Sequence, residues 1–304
     1  MRDAAMAAES GARGGAGSTT LGRVVAVAGL TFREAWRRKV VVAALVMTGA
    51  FLGLYGFAIH LASRDFAQSA GTQFGPAMYR SIIGVQLLFI GLYPASLIVG
   101  LLAVLASAGS IAAELDTGVL CGVLARPIRR WELLLGKFIG TGLMVGTYAA
   151  VLFSAVIGLA WWLFKAPVTN VPLVLALLVL EPLILLAVTL LGSSRLSTMA
   201  AGVTCVAAYG IATVGGLIEQ IGAFTKNATM MNIGVITSLL MPIDAVQRKA
   251  MAILQPASAL VSGQTGPFGS AGRATPSNAM LVYTGVYVVV VLWLAMRAFA
   301  QRDL

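Results

Sequence analysis

The chain has 304 residues, of which 59% are apolar and only 11% are charged, with a mean hydropathy of +0.92. Soluble domains carry roughly 25% charged residues, so these charges are too few to cover a water-facing surface, and a soluble enzyme is excluded. The net charge of +10 does not indicate nucleic-acid binding, because the basic residues lie in particular segments between long apolar runs. Composition therefore predicts an all-α, polytopic membrane protein.

The chain begins with residues 1–18, a Gly/Ala-rich polar stretch that is typical of a disordered tail. From 19 to 39 apolar and charged residues alternate with helical periodicity. A basic amphipathic helix directly before a membrane span predicts a helix that lies on the cytoplasmic membrane surface. A soluble helix that packs on a partner is the alternative.

Six apolar blocks follow, and each is long enough for the ~20 residues that a span needs. The predicted spans cover about 40–61, 82–110, 138–164, 171–194, 196–218 and 280–298. Residues 19–304 then form one transmembrane domain, which leaves no room for a separate soluble domain.

The basic residues favour one orientation of these spans. With a cytoplasmic N-terminus, 14 of the 21 Lys and Arg residues fall in inside segments and 7 in outside segments. Such a bias predicts that both termini are cytoplasmic, in the inner membrane of a bacterial or archaeal cell.

Residues 219–273 form the longest predicted external segment. Within it, Met230 to Met241 is apolar but only about half the length of a span, and Pro242 follows. A run of this size favours a re-entrant or interfacial helix over a crossing.

Glycine pairs at four-residue spacing occur in or near the spans, and such pairs let helix backbones approach closely. They are Gly49/Gly53, Gly136/Gly140 and Gly142/Gly146.

The sequence carries no motif for catalysis, a cofactor or a metal. Gly136 and Lys137 are followed by Phe138, so no phosphate-binding loop is present. His60, the one histidine, is predicted at the outer end of the first span, and Cys121 and Cys205 do not make a disulfide framework. We expect no catalytic residue, cofactor or metal in this chain.

The loop between the second and third spans has an ordered distribution of charge. Two acids, Glu114 and Asp116, come first, apolar residues at helical spacing follow, and a basic cluster ends the loop. The pattern predicts a short amphipathic helix, although an ordinary solvated loop with positive-inside charges fits the composition as well.

Several short motifs resemble type-two ABC transporter permeases, from about Thr19 to the end of the chain. They are ELDTG at 114–118, LARPIRR at 124–130 and LGKF at 135–138, preceded by FREAWRRK at 32–39 and followed by LMP at 240–242 and QP at 255–256. The resemblance implies that two six-span subunits pair, in a homodimer, and that each docks on a separate ATPase subunit that binds the ATP. It also implies that a short cytoplasmic coupling helix within 111–132 seats in that ATPase. By the resemblance, the residues at this contact are Glu114, Asp116, Thr117 and Gly118. Four further residues of the coupling segment would end it and anchor it near the lipid headgroups: Arg126, Pro127, Arg129 and Arg130.

Glu181 lies near the middle of the fourth apolar block, directly before Pro182. A carboxyl group at this depth is costly unless it faces the bundle interior, a cavity or a partner. It is either a structural hydrogen-bonding group between helices or part of a substrate path or gate.

Together these features predict the permease subunit of an ATP-driven transporter, more consistent with an exporter than an importer and not itself an enzyme. Its expected partners are an ATPase chain, a second permease copy and membrane lipid, with no nucleic acid. Two alternatives remain: a secondary transporter or channel that uses Glu181 as an ion or proton site, and an integral-membrane enzyme or assembly factor. The first of these predicts paired broken spans in two similar halves.

Overall fold

The computed structural model describes residues 20–37, 39–68, 76–116, 130–164, 168–254 and 276–301, and the predicted N-terminal tail lies outside them. All regular structure in these ranges is α-helical, which confirms the predicted fold class. The helices are α1 (Thr20–Arg37), α2 (Lys39–Gln68), α3 (Pro76–Asp116), α4 (Arg130–Phe164), α5 (Val171–Arg195), α6 (Thr198–Thr225), α7 (Ala228–Leu240), α8 (Ile243–Leu254) and α9 (Asn278–Ala300).

Six of the described helices are long and apolar enough to cross a membrane, so the predicted number of spans is confirmed. The crossing segments are Lys39–Arg64, Ile83–Ala108, Trp131–Phe164, Val171–Arg195, Thr198–Ala223 and Asn278–Ala300. The long uncharged block before Glu114 forms one helix, α3, which continues through Pro94.

The fourth span, α5, lies at the centre of the bundle. It contacts α3, α4, α6, α8 and α9. Of its most apolar 18-residue stretch, 61% is buried within the chain. The first and last spans, α2 and α9, lie at the periphery. Only 17% of the most apolar 18-residue stretch of each helix is buried within the chain. Their apolar faces are therefore open to lipid or to another protein chain.

The N-terminal helix α1 forms where the amphipathic pattern predicts it and packs along α4. Val24 and Ala35 are its buried residues, whereas Leu21, Val25 and Leu30 are exposed. Exposed apolar side chains on a helix that already packs against the bundle are consistent with a second contact, with the membrane surface.

The apolar run Met230 to Met241 forms most of α7, and a second short helix, α8, follows it at an angle of 105°. The break falls at Met241 and Pro242, where the missing proline N–H weakens a continuing helix. α7 packs chiefly against α6, whereas α8 packs chiefly against α5. We refer to α7 and α8 together as the bent pair.

Candidate functional site

The predicted coupling residues lie at or beyond two helix ends. Glu114 and Asp116 lie in the last turn of α3, and Arg130 is the first residue of α4. The remaining members are outside the described residues: Thr117, Gly118, Arg126, Pro127 and Arg129. The contact of this segment with an ATPase therefore stays a prediction, and its two flanking helices are the second and third spans.

Helix α1 docks on the third span close to the start of α4. A Cβ atom at Gly136 would lie 2.5 Å from Val27 Cγ1, and one at Gly140 would lie 2.8 Å from Thr31 Cβ. These contacts are too short for any side chain larger than hydrogen, so the two glycines allow the helix backbones to approach. This glycine pair acts as the sequence predicts, whereas a Cβ atom at Gly49 or Gly53 would meet nothing within 4 Å among the described residues.

An ion pair joins the same two helices. Arg23 of α1 lies 3.4 Å from Glu132 of α4, and the Glu132 side chain is fully buried while 29% of Arg23 is exposed. A buried carboxylate is strongly disfavoured without a partner. The pair therefore favours one register of α1 on α4, at the end of the predicted coupling segment 111–132.

Glu181 faces the interior of the bundle, and only 2% of it is exposed. Tyr209 of α6 donates a hydrogen bond to Glu181 Oε1 at 3.4 Å, and Ser96 of α3 also interacts with the carboxyl group. Tyr209 comes close because position 100 is glycine: a Cβ there would lie 2.8 Å from the tyrosine ring. Three spans thus meet at this carboxyl group.

Ser96 extends the contact from Glu181 to the bent pair. Gln247 of α8 donates a hydrogen bond from Nε2 to Ser96 Oγ at 2.9 Å, and both side chains are buried. Nearby, Gln220 of α6 donates to the hydroxyl of Tyr93 on α3 at 3.3 Å. Neutral hydrogen bonds therefore connect α3 to α6 and α8.

Arg248 of α8 is the centre of a buried ionic cluster. Its Nε lies 2.7 Å from Asp244 Oδ2, and its Nη2 lies 2.7 Å from Glu219 Oε2 on α6. Ser238 of α7 donates to the same Glu219 oxygen at 3.4 Å. The cluster thus ties both helices of the bent pair to the fifth span.

Glycines on the facing helices make room for the acids of this cluster. A Cβ at Gly216 of α6 would overlap the Asp244 carboxyl group, and one at Gly234 of α7 would overlap Glu219. The absence of side chains at these positions lets charged groups reach the backbone of the neighbouring helix.

The helix ends of the bent pair are also bound by other elements. Tyr283 and Tyr287 of α9 donate hydrogen bonds to the carbonyl groups of Leu239 and Leu240, at 2.6 Å and 2.9 Å. Thr169 donates to the carbonyl of Ile253 at 2.8 Å. The last carbonyl groups of a helix have no hydrogen-bond partner within it. These hydroxyl groups therefore supply donors to carbonyl oxygens at the end of α7 and at the end of α8.

Sequence reasoning found Glu181 but not its neighbours. The charged residues of α8 lie in the predicted external segment 219–273, where Arg248 and Lys249 counted only as outside charges. One signal was available: Asp244 and Arg248 are spaced i, i+4 in a short segment between apolar runs, which places opposite charges on one helix face.

The described residues contain no group of three or more His, Cys, Asp or Glu side chains that could hold a metal ion. The free thiol of Cys205 is buried on α6, and His60 is exposed on α2.

The family described as ABC-2 family transporter protein matches residues 24–304. The match begins within α1 and includes all six crossing helices, the predicted coupling segment and the bent pair. It confirms the resemblance that the sequence motifs suggest. No curated protein matches the chain.

Proposed function

Because this chain belongs to the ABC-2 family of transporter proteins and is a permease component of an ABC transporter, we propose that it exports its substrate with energy from a separate ATPase subunit. The observation that carries the proposal is the family match over six spans. The sequence has no nucleotide-binding motif of its own, so ATP hydrolysis is assigned to the partner.

The coupling route that we propose runs through residues 111–132. This segment connects the end of α3 to the start of α4, so a push on it acts on the second and third spans together. The docking of α1 at Gly136 and Gly140, with the Arg23–Glu132 pair, supports the route. A rigid-body motion passes best through elements that are already packed together, and α1 is packed on the third span at this point.

The functional unit in this proposal is a homodimer of permease chains in the bacterial or archaeal cell membrane, with both termini cytoplasmic. The two-to-one distribution of basic residues supports the orientation. The open apolar faces of α2 and α9 support a second copy, which would cover part of them and leave the rest to lipid.

A secondary transporter is the nearest alternative function. It predicts two equivalent broken spans, one in each half of the chain. The residues described here contain a single bent pair, α7 with α8, which gives this alternative less support than the ABC transporter.

The experiment is affinity purification of the tagged chain from its native host, followed by mass spectrometry and an ATPase assay. We expect an ATPase chain in the purified complex, and no hydrolysis by the permease purified alone. Recovery without any ATPase chain, together with substrate transport in ATP-free proteoliposomes, would contradict the proposal.

A further inference from the structure

The buried polar network around Glu181 contains more acidic than basic groups. Arg248 already pairs with two carboxylates, Asp244 and Glu219, both at 2.7 Å. Among the described residues, Lys249 is the next cation on α8, but its ammonium group donates to the carbonyl of Pro276 at 2.9 Å. An ionised Glu181 would therefore add a third carboxylate to a cluster with one guanidinium group.

The carboxyl group of Glu181 itself is poorly compensated. The Tyr209 hydroxyl is at 3.4 Å, a long hydrogen bond. The Oε2 atom is buried and has no hydrogen-bond partner among the described residues. An unpartnered buried oxygen is much less costly on a neutral group than on an ion.

The helices that pack on α5 provide no unpaired cation beside Glu181 among the described residues. From α3 the facing polar group is Ser96, from α6 it is Tyr209, and from α8 it is Asp244 with its partner Arg248. None of the first three is a cation, and Arg248 is already paired twice.

The other two neighbours of α5 contribute apolar contacts. On α4, Gly142 meets Leu183 and Gly146 meets Val179, and the charged residues Glu132 and Lys137 lie more than one turn before Gly142. On α9 the contacts with α5 are apolar, through Ala295 and Phe299. The other titratable side chains that the structure describes on these two helices bind elsewhere: Tyr148 to Ala44, Tyr283 to Leu239, Tyr287 to Leu240, and Arg297 over Trp293.

We propose that Glu181 is a proton-binding site, occupied when α3, α6 and α8 pack as they do in this structure. The carboxyl group then stands in its neutral acid form, and the described residues of the network, with Asp244, Glu219 and Arg248 ionised, carry a single negative charge. A proton is the ligand that fits, because it needs no cavity around a side chain that is 2% exposed.

Proton occupancy links this packing to pH. Separation of Gln247 from Ser96 would admit water to Glu181 and allow the proton to leave. The packed form holds the proton and the separated form releases it, so the packed form gains stability as the pH falls and loses it as the pH rises. The site needs no ATPase partner, and a failure of this inference is distinguishable from a failure of the proposed transport function.

The test is infrared difference spectroscopy of the full-length chain in lipid nanodiscs. At about pH 7 ordinary surface carboxyl groups are ionised, so a carbonyl band of an un-ionised carboxylic acid reports a sequestered proton. We expect this band in the native chain, its loss in Glu181→Gln and its retention in Glu34→Gln, where the acid is exposed on α1.

A second pair of variants keeps Glu181 and changes its neighbours. Tyr209→Phe and Ser96→Ala each remove a hydroxyl group that touches the carboxyl group, so each should shift the band without abolishing it. These two variants still test the inference if Glu181→Gln fails to fold. Raising the pH until the band disappears should also lower the thermal midpoint of the native chain.

Three results would overturn the inference. The first is the absence of the acid band in the native chain at about pH 7. The second is a band that survives Glu181→Gln but is lost in Asp244→Asn, which would assign the proton to the other carboxyl group. The third is a band that neither Tyr209→Phe nor Ser96→Ala moves.

Discussion

Gly140 in the third span lies directly against Ala28 in the N-terminal helix, so closely that a Cβ atom at position 140 would stand 2.5 Å from the Ala28 carbonyl oxygen. The atom that such a Cβ would meet belongs to the backbone, which cannot rotate away as a side chain can. The docking of α1 on α4 therefore depends on glycine at this position.

The first prediction is that Gly140→Ala destabilises the chain by about 1–3 kcal/mol, because the added methyl group overpacks the helix contact. The thermal midpoint in detergent and the protease sensitivity of α1 are the measurements. Gly158→Ala is the matched control, since a Cβ atom at position 158 would meet nothing within 4 Å among the described residues. It should be neutral or stabilising by about 0.5–1 kcal/mol, the usual gain of alanine over glycine inside a helix. Equal effects of the two substitutions would contradict the docking role.

The second prediction concerns the ionic cluster of the bent pair. Arg248→Met leaves the carboxylates of Asp244 and Glu219 buried without their cation, and we expect a loss of about 3–5 kcal/mol. The triple variant with Asp244→Asn and Glu219→Gln removes the uncompensated charges and should recover much of that loss. Lys249→Met, which removes one hydrogen bond, should cost only about 1 kcal/mol. Thermal unfolding in nanodiscs compares the three. A triple variant no more stable than Arg248→Met would show that shape, rather than charge, holds the bent pair.

The third prediction tests the coupling segment. Reversing Glu114 and Asp116 to Lys should weaken the complex with the ATPase or reduce the ATP hydrolysis that depends on the permease, while membrane insertion is unchanged. Co-purification and the ATPase rate of the reconstituted complex are the measurements. Arg64→Glu serves as a control, because Arg64 is exposed near the far end of α2 from α1. If the double reversal leaves assembly and hydrolysis as in the native complex, the segment is an ordinary charged loop.

The fourth prediction is the orientation in the membrane. After replacement of Cys121 and Cys205, single cysteines at Ser18 and Ser262 are labelled in sealed cells with a membrane-impermeant maleimide. The excess of basic residues in the inside segments predicts labelling at Ser262 and none at Ser18 before lysis. Strong labelling at Ser18 in intact cells would reverse the proposed topology.

Much of the fold follows from local properties of the sequence. Apolar length determines which helices can cross a membrane, because a span must be long enough to cross the hydrocarbon core. The six spans were predictable for that reason. The amphipathic pattern of α1 and the interruption at Pro242 are likewise read from neighbouring residues. The tight packing at Gly136 and Gly140 was predictable as a possibility, but its partner, α1, was not.

The tertiary structure alone decided which polar residues meet. Glu181 was conspicuous in the sequence because a carboxyl group inside a span is rare, yet nothing in residues 171–195 indicates that Ser96 and Tyr209 would lie beside it. The burial of Arg248, in contrast, was not predictable from the sequence, because this residue lies in a short segment of low apolar content. Its burial follows from the 105° bend, which turns α8 back against the central span. Hydropathy measures the cost of placing each residue in lipid, whereas pairing between distant charges depends on helix packing, and only the folded chain brings those charges together.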